Sequence, residues 1–215
     1  MTVSRPARCA IPEAIGGPGV VAIGRGLDPA QLPLVGEALL SGGVRAFEVT
    51  LNSTSALEAI AVLAARFEGD QLMVGAGTVL DISEAQQAVA AGARFIVAPH
   101  VDGKLVRWAA TNGMPIFPGA LTPSEILDAW RAGATAVKLF PASSVGPAFV
   151  RELRGPFPEI PLIPTGGVTA ESAAAFIAAG AGAVAVGSWL TGSGDPEIVA
   201  IRAAELTAAV AQARR

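Results

Sequence analysis

AGATAVKLFP, residues 132–141, is the stretch on which the fold turns. It opens on Ala-Gly-Ala, a small-residue exit from an Ala-rich segment of helical periodicity. It runs straight into Ala136-Val137-Lys138-Leu139-Phe140, apolar on both faces apart from one lysine. A strand that is apolar on both faces belongs to a parallel sheet covered by helices rather than to a half-solvated antiparallel one. The same Ala-Gly-Ala exit stands at 91–93 and 179–181, each time ahead of another short apolar run. Repetition of this kind marks a chain built from similar units.

Outward from this stretch the pattern covers everything from Val20 on. The apolar runs are VVAIGR (20–25), AFEVTL (46–51), LMVGAGT (72–78), FIVAP (95–99), PIFPGA (115–120), AVKLF (136–140), PLIPTGG (161–167) and AVAVGS (183–188). Helical periodicity fills 29–40, 55–67, 83–91, 102–111, 123–131, 147–154, 170–179 and 196–214. Asp28-Pro29, Ser83 and Thr122-Pro123-Ser124-Glu125 read as helix starts. Gly42, Gly92, Gly133 and Gly180 read as helix ends. Strand–helix units at a spacing of about 25 residues predict a single-domain (β/α)8 barrel of the α/β class over 20–215. An irregular N-terminal arm over 1–19, with a helical turn near 11–15, precedes it. The competing architecture is a doubly wound open sheet, but GRGLDP after the first run matches G-x-G-x-x-G poorly.

Composition narrows the function classes. The 215 residues are 52% hydrophobic and 15% charged, which excludes a disordered chain. No stretch of about 18 residues is free of Gly, Pro and charge, so no membrane-spanning helix is expected. A net charge of −3, the absence of a basic block and the absence of Tyr argue against a nucleic-acid partner. Cys9 is the single cysteine and can form neither an internal disulfide nor a CxxC metal pair. MTVSRPARCAIPEAIGGPG, at the start, has no apolar core of signal-peptide length, and the expectation is a cytoplasmic protein.

In a barrel, chemistry sits at the C-terminal ends of the strands, so residues that break the apolar runs there are the candidates. Lys138 stands inside an otherwise apolar run, whereas the other lysine, Lys104, falls on a helix expected to be exposed. Burial lowers a lysine's pKa toward the nucleophilic free amine; a structural ion pair or a stem reaching the rim is the plainer reading. Glu48 shares a strand face with Ala46 and Thr50, where it can pair with Lys138 or move protons beside it. Arg25 ends the first strand, either against an anionic substrate group or as a rim residue. Gly75-Ala76-Gly77-Thr78 lets a ligand approach the backbone and presents a hydroxyl, or else forms a bulge. Thr165-Gly166-Gly167 and Gly187-Ser188 end the last two strands, where barrels bind phosphate through backbone N–H groups; tight turns would need the same glycines. His100 is the sole histidine and reads as a loop residue; without HxH or HExxH the sequence offers no metal site. Asp81, Glu84, Glu125 and Asp128 sit at helix starts or faces. Trp108, Trp130 and Trp189 read as packing residues.

Together these stretches resemble the class I 2-keto-3-deoxy-6-phosphogluconate aldolases and their relatives, among them the phosphogalactonate and 4-hydroxy-2-oxoglutarate aldolases. The likeness runs from about Val20 to Leu190. It rests on the order and spacing of GGVRAFEVTLNS (42–53), VGAGTVL (74–80), FIVAPH (95–100), FPGALTPSE (117–125), VKLFPAS (137–143), IPTGGVT (163–169) and VGSWL (186–190). The resemblance implies a small (β/α)8 barrel, a homotrimer, a sugar-acid substrate and no metal or organic cofactor. By motif it implies Lys138 as the Schiff-base lysine and Glu48 as the acid/base. Thr78, with the backbone near Gly77, falls at the pyruvate carboxylate, and Thr165 beside the substrate hydroxyls. Gly166, Gly167, Gly187 and Ser188 fall at the phosphate, and Pro99 and Phe140 line the lysine pocket.

One position departs from that pattern. The phosphogluconate enzymes commonly read EVTLRT, and Asn52 stands where they carry the arginine, as in the EIPLNS of the phosphogalactonate enzymes. Pro164-Thr165-Gly166-Gly167, in contrast, is of the phosphogluconate type. Loss of an arginine removes a bidentate carboxylate partner, and Arg25 is placed to replace it. The expected activity is that of a carbon–carbon lyase. It would cleave a 2-keto-3-deoxy-6-phospho sugar acid, the phosphogluconate foremost, to pyruvate and glyceraldehyde 3-phosphate through a lysine imine. The alternatives are phosphogalactonate or 4-hydroxy-2-oxoglutarate specificity, a metal-dependent aldolase using Glu48 and His100, a phosphate-binding barrel isomerase or decarboxylase, and a non-catalytic sugar-acid phosphate binder.

Overall fold

The Ala-Gly-Ala exits work through the backbone. Gly92, Gly133 and Gly180 stand at φ 104°, 111° and 101°, a left-handed conformation that side chains disfavour. Each donates its N–H to the carbonyl three residues back, and the following alanine donates to the one five back. The pairs are Gly92 to Val89 and Ala93 to Ala88, Gly133 to Trp130 and Ala134 to Ala129, and Gly180 to Ile177 and Ala181 to Phe176. This is the Schellman turn, which satisfies orphan helix carbonyls while aiming the chain back along the helix. Gly42 departs from the expectation: its φ is −86°, and the left-handed residue is Gly43 at φ 86°.

The computed structural model describes residues 8–69 and 71–215. Residues 1–7 of the predicted arm lie outside the described residues, and its helical turn is α1 (Glu13–Gly16). There follow β1 (Val20–Gly24), α2 (Leu32–Ser41), β2 (Ala46–Thr50), α3 (Ala56–Arg66), β3 (Met73–Gly77), α4 (Ile82–Ala90) and β4 (Ile96–Val97). Next come α5 (Gly103–Thr111), β5 (Ile116–Phe117), β6 (Gly119–Ala120), α6 (Pro123–Ala132), β7 (Val137–Leu139) and α7 (Gly146–Leu153). The chain ends with β8 (Leu162–Pro164), α8 (Ala170–Ala178), β9 (Val184–Val186), α9 (Ser188–Thr191) and α10 (Pro196–Ala213).

Three local readings change. Asp28-Pro29 does not start α2, because Asp28 closes a turn of its own, accepting Ala30 N–H on its side chain and Gln31 N–H on its carbonyl. Ser83 lies inside α4; Asp81 caps it, accepting Glu84 N–H at 2.8 Å. Pro118 divides the run 115–120 into β5 and β6, since proline has no N–H to give a ladder. Thr122 and Glu125 form the reciprocal capping box on α6.

The strands pair in parallel, in the orders β5-β4-β3-β2-β1-β9 and β6-β7-β8. A bridge between Thr165 and Ala185 links β8 to β9. The parallel sheet curls as a half-barrel with a core on each side, as strands buried on both faces require. On the convex side Phe47, Val49, Val74, Val137 and Leu139 pack against the helices. On the concave side Val21, Ile23, Phe95, Phe117 and Ile163 meet, and Ile15 of α1 joins them. Arg214, just past α10, donates to the carbonyls of Gly16, Gly17 and Gly182 and ties α1 to the sheet.

Gly75 makes room on the concave face. A Cβ there would stand 2.4 Å from Cζ of Phe95, a ring 0% exposed and edge-on to Phe117 at 5.9 Å between centroids. Gly75→Ala is expected to cost about 2 kcal/mol through overpacking. Thermal unfolding checks this, and a wild-type Tm would show that the ring yields freely.

Candidate active site

Alternation along two strands sets the site. Val137 and Leu139 face the helices, so Lys138 faces the concave side, 5% exposed. Phe47 and Val49 do the same for Glu48, 1% exposed, as the sequence reading of Ala46, Glu48 and Thr50 on one face requires. Oε2 of Glu48 is buried without a hydrogen-bond partner. Gly77 leaves space for the carboxyl, since a Cβ there would stand 2.7 Å from Oε1.

Electrostatics moves both groups toward their neutral forms. Burial pushes the Glu48 carboxyl up, against the pull of Lys138 and then Arg25. Burial pushes the Lys138 ammonium down; the Glu48 charge opposes this and Arg25 adds to it. Nζ of Lys138 lies 5.0 Å from the centroid of the exposed Phe140 ring.

Arg25 is held by two side-chain bonds and by the anchoring of the residues on either side of it. Its Nη1 donates to Asn52 Oδ1 at 3.0 Å and its Nη2 to Thr78 Oγ1 at 3.3 Å. Thr78 takes a left-handed φ of 56°. The Thr50 hydroxyl donates to Gly24 O at 3.3 Å, and the Ser53 hydroxyl accepts Gly26 N–H at 2.9 Å, so the backbone on either side of Arg25 is pinned. Both side-chain partners are neutral, and the exposed guanidinium stays open to an anion. Asn52 thus orients the arginine at the end of β1.

A cavity of about 310 Å³ opens at the C-terminal ends of the strands. Arg25, Lys138, Phe140, Thr165, Gly166, Gly167, Gly187 and Ser188 all line it, together with Ile23, Val168, Thr169 and Trp189. Gly166 and Gly167 stand at φ 95° and 72°, so the loop after β8 needs glycine for its shape whatever else it does. Thr165 is buried, donating to Ile163 O at 3.1 Å. A larger hollow, about 1160 Å³, lies at the opposite end against α1 and α10, away from Lys138.

Of the remaining predicted residues, Glu48 and Gly77 meet on the concave face, and Asn52 and Thr78 reach the cavity through Arg25. Pro99 is not among the lining residues; its carbonyl packs against Gly119, beside Lys138 in the sheet register. His100 is exposed and apart from the cavity. Trp189, read as packing only, also lines the cavity. Among the described residues no three of His, Cys, Asp and Glu stand together as a metal site requires. Nor is any helix among them long and apolar enough to cross a membrane. Thr50 and Ser53 were legible only as polar letters inside AFEVTLNS; nothing in the sequence marks them as holding Arg25.

The model of the aldolase family "KDPG and KHG aldolase" matches residues 19–204. The chain belongs to the KDPG and KHG aldolase family. Its members are carbon–carbon lyases. The chain is 41% identical over 160 residues to the 2-dehydro-3-deoxy-phosphogluconate aldolase of Pseudomonas aeruginosa, covering 74% of this chain and 71% of that one. The solved structure of native KDPGal superposes with a TM-score of 0.86 at 33% identity, covering 90% of this chain and 95% of that one. KDPG aldolase from Legionella pneumophila, with pyruvate captured as a covalent carbinolamine, superposes with a TM-score of 0.77 at 26% identity, covering 92% and 95%.

Proposed function

We propose that this chain is a class I aldolase that cleaves a 2-keto-3-deoxy-6-phospho sugar acid, the phosphogluconate foremost, to pyruvate and glyceraldehyde 3-phosphate. One observation carries the reading: a buried lysine on the concave face lines a cavity with an exposed arginine and feels a buried carboxyl, one oxygen of which has no hydrogen-bond partner. The Legionella relative's captured carbinolamine supports the same covalent route.

Neutral Lys138 attacks the C2 ketone, and Glu48 protonates the hydroxyl that leaves the carbinolamine as water. The resulting iminium withdraws electrons from C3. The Glu48 carboxylate takes the C4 hydroxyl proton, the C3–C4 bond breaks, and the aldehyde departs. A proton returned to C3 of the enamine and hydrolysis of the imine then free pyruvate and Lys138. Every step uses protons, water and the lysine, and the reading includes no metal or organic cofactor.

Arg25 and Thr78, with the backbone near Gly77, hold the substrate carboxylate, and Asn52 keeps Arg25 aimed. Thr165 lies beside the sugar hydroxyls, and Phe140 and Pro99 shape the surroundings of the lysine. Gly166, Gly167, Gly187 and Ser188 offer backbone N–H groups to the phosphate. The proposed architecture is a single (β/α)8 domain over 20–215 in a cytoplasmic homotrimer. The Thr165–Ala185 bridge and the direct succession of β5 and β6 around Pro118 support closure of the two sheets into one ring.

A second reading, phosphogalactonate as substrate, is favoured by Asn52, which stands where the phosphogluconate enzymes commonly carry an arginine and here accepts a hydrogen bond from Arg25, one residue past β1. Pyruvate release from the two C4-epimeric phosphorylated acids and from 4-hydroxy-2-oxoglutarate decides between them. The phosphogluconate should have the highest kcat/KM. A higher value for the unphosphorylated acid would remove the phosphate assignment, and no pyruvate from any of the three would remove the aldolase reading.

A further inference from the structure

Thr191, at the end of α9, is buried at 2% exposure and faces the end of β1. Its hydroxyl donates to the Ile23 carbonyl at 2.6 Å, joining residues 168 positions apart. Gly187 O lies 3.3 Å from the same hydroxyl and already accepts the N–H groups of Leu190 and Thr191.

The sheet explains why Ile23 needs this donor. β1 and β9 run parallel with Ala22 opposite Val186, and Val184 N–H donates to Gly19 O. A parallel ladder repeats every two residues along one edge. After Val184 and Val186, the next donor in line is Ser188 N–H, and its acceptor would be Ile23 O. Gly187 turns the chain away instead, and Ser188 becomes the first residue of α9, where N–H groups have no intrahelical acceptor. The Thr191 hydroxyl occupies the place in the ladder that Ser188 leaves. Without it, the buried Ile23 carbonyl would lack a donor or would draw Ser188 back into the ladder and flatten the turn. Gly187 and Ser188 line the cavity beside Arg25, two residues along from Ile23.

We propose that Thr191 is a positioning residue, whose hydroxyl takes the Ile23 carbonyl and so holds the Gly187–Ser188 turn open toward the cavity, setting affinity for the phosphate end of the substrate. This rests on the reading of that turn as a phosphate contact. Thr191→Val keeps the branched shape and removes the hydroxyl, while Thr191→Ser keeps the hydroxyl.

Thr191→Val is expected to raise KM for the phosphorylated acid, and Kd for inorganic phosphate read by 31P line broadening, by about tenfold, with kcat little changed. Thr191→Ser should keep both near the wild-type values. Borohydride trapping of pyruvate on Lys138 involves no phosphate and should proceed at the wild-type rate in both variants. Wild-type KM and phosphate affinity in Thr191→Val would overturn the proposal. So would a loss in Thr191→Val that Thr191→Ser shares, or pyruvate trapping that falls in step with KM. If the wild-type protein binds no inorganic phosphate, the phosphate reading falls and this proposal with it, while trapping still reports separately on Lys138.

Discussion

Lys138→Ala is expected to abolish pyruvate trapping by borohydride and to lower cleavage by on the order of 10⁴-fold or more, because no covalent intermediate can form without the amine. Mass spectrometry of the wild-type protein after pyruvate and borohydride should find the adduct on Lys138; an adduct on Lys104, or none, would end the imine mechanism. The same residue carries a stability signature. Burial lowers its pKa, so between that lowered value and the value of an exposed lysine the unfolded chain holds a proton that the folded chain does not. The penalty is therefore present in full below the lowered value and disappears as pH rises past that of an exposed lysine. Lys138→Met, which fills the space without a charge, should raise Tm at neutral pH, with a gain that shrinks toward strongly alkaline pH. A lower Tm at neutral pH would show that the amine's pairing with Glu48 outweighs its desolvation.

Glu48→Gln is expected to slow cleavage by about 10² to 10⁴-fold while leaving Lys138 in place, the effect of removing a positioned acid/base. Glutamine keeps the shape of the side chain beside Gly77 and loses the titratable proton, so kcat rather than KM should carry the change. Wild-type turnover in this variant would leave Glu48 a purely structural neighbour. Here the sign of the shift is opposite: burial raises the carboxyl's pKa, so between the ordinary and the raised value the folded chain holds the extra proton. The penalty is absent below the ordinary carboxylate value and grows as pH rises to the raised one. Glu48→Gln should accordingly gain in Tm relative to wild type as pH increases through that window, and equal Tm at every pH would contradict the desolvation account.

Both predictions rest on a face assignment that was readable in advance. AFEVTL and AVKLF place Glu48 and Lys138 on the side opposite Phe47, Val49, Val137 and Leu139, because strand side chains alternate regardless of what they meet. The cost of burying charge then marks these two positions as exceptions worth explaining.

Arg25 shows the other case. Its place at a strand end was visible, but a rim residue and a held ligand look alike in sequence. Asn52, Thr78, Thr50 and Ser53 hold it and its backbone neighbours, and they lie 25 or more residues away, brought to it by the β1–β2 and β2–β3 registers. A neutral hydroxyl or amide finds a hydrogen-bond partner in most surroundings, buried or exposed, so its presence in a sequence does not flag a site as a buried charge does. Thr191 is the extreme: it could be recognised only once the first and last strands were side by side.

What the sequence determined by itself, then, was the parallel α/β class, the alternation of strands and helices, the glycine ends of α4, α6 and α8, the capping box of α6, and the two buried ionisable side chains. These follow from local backbone preference, the two-residue strand period and the penalty for burying charge, none of which needs to know the partner strand. Tertiary structure alone decided the interruption at Pro118, the clasp on Arg25, the placing of the Pro99 carbonyl against Gly119 and the Thr191 bond to β1. Each of these depends on which residue faces which across a ladder, and sheet register is a property of two strands rather than of either one.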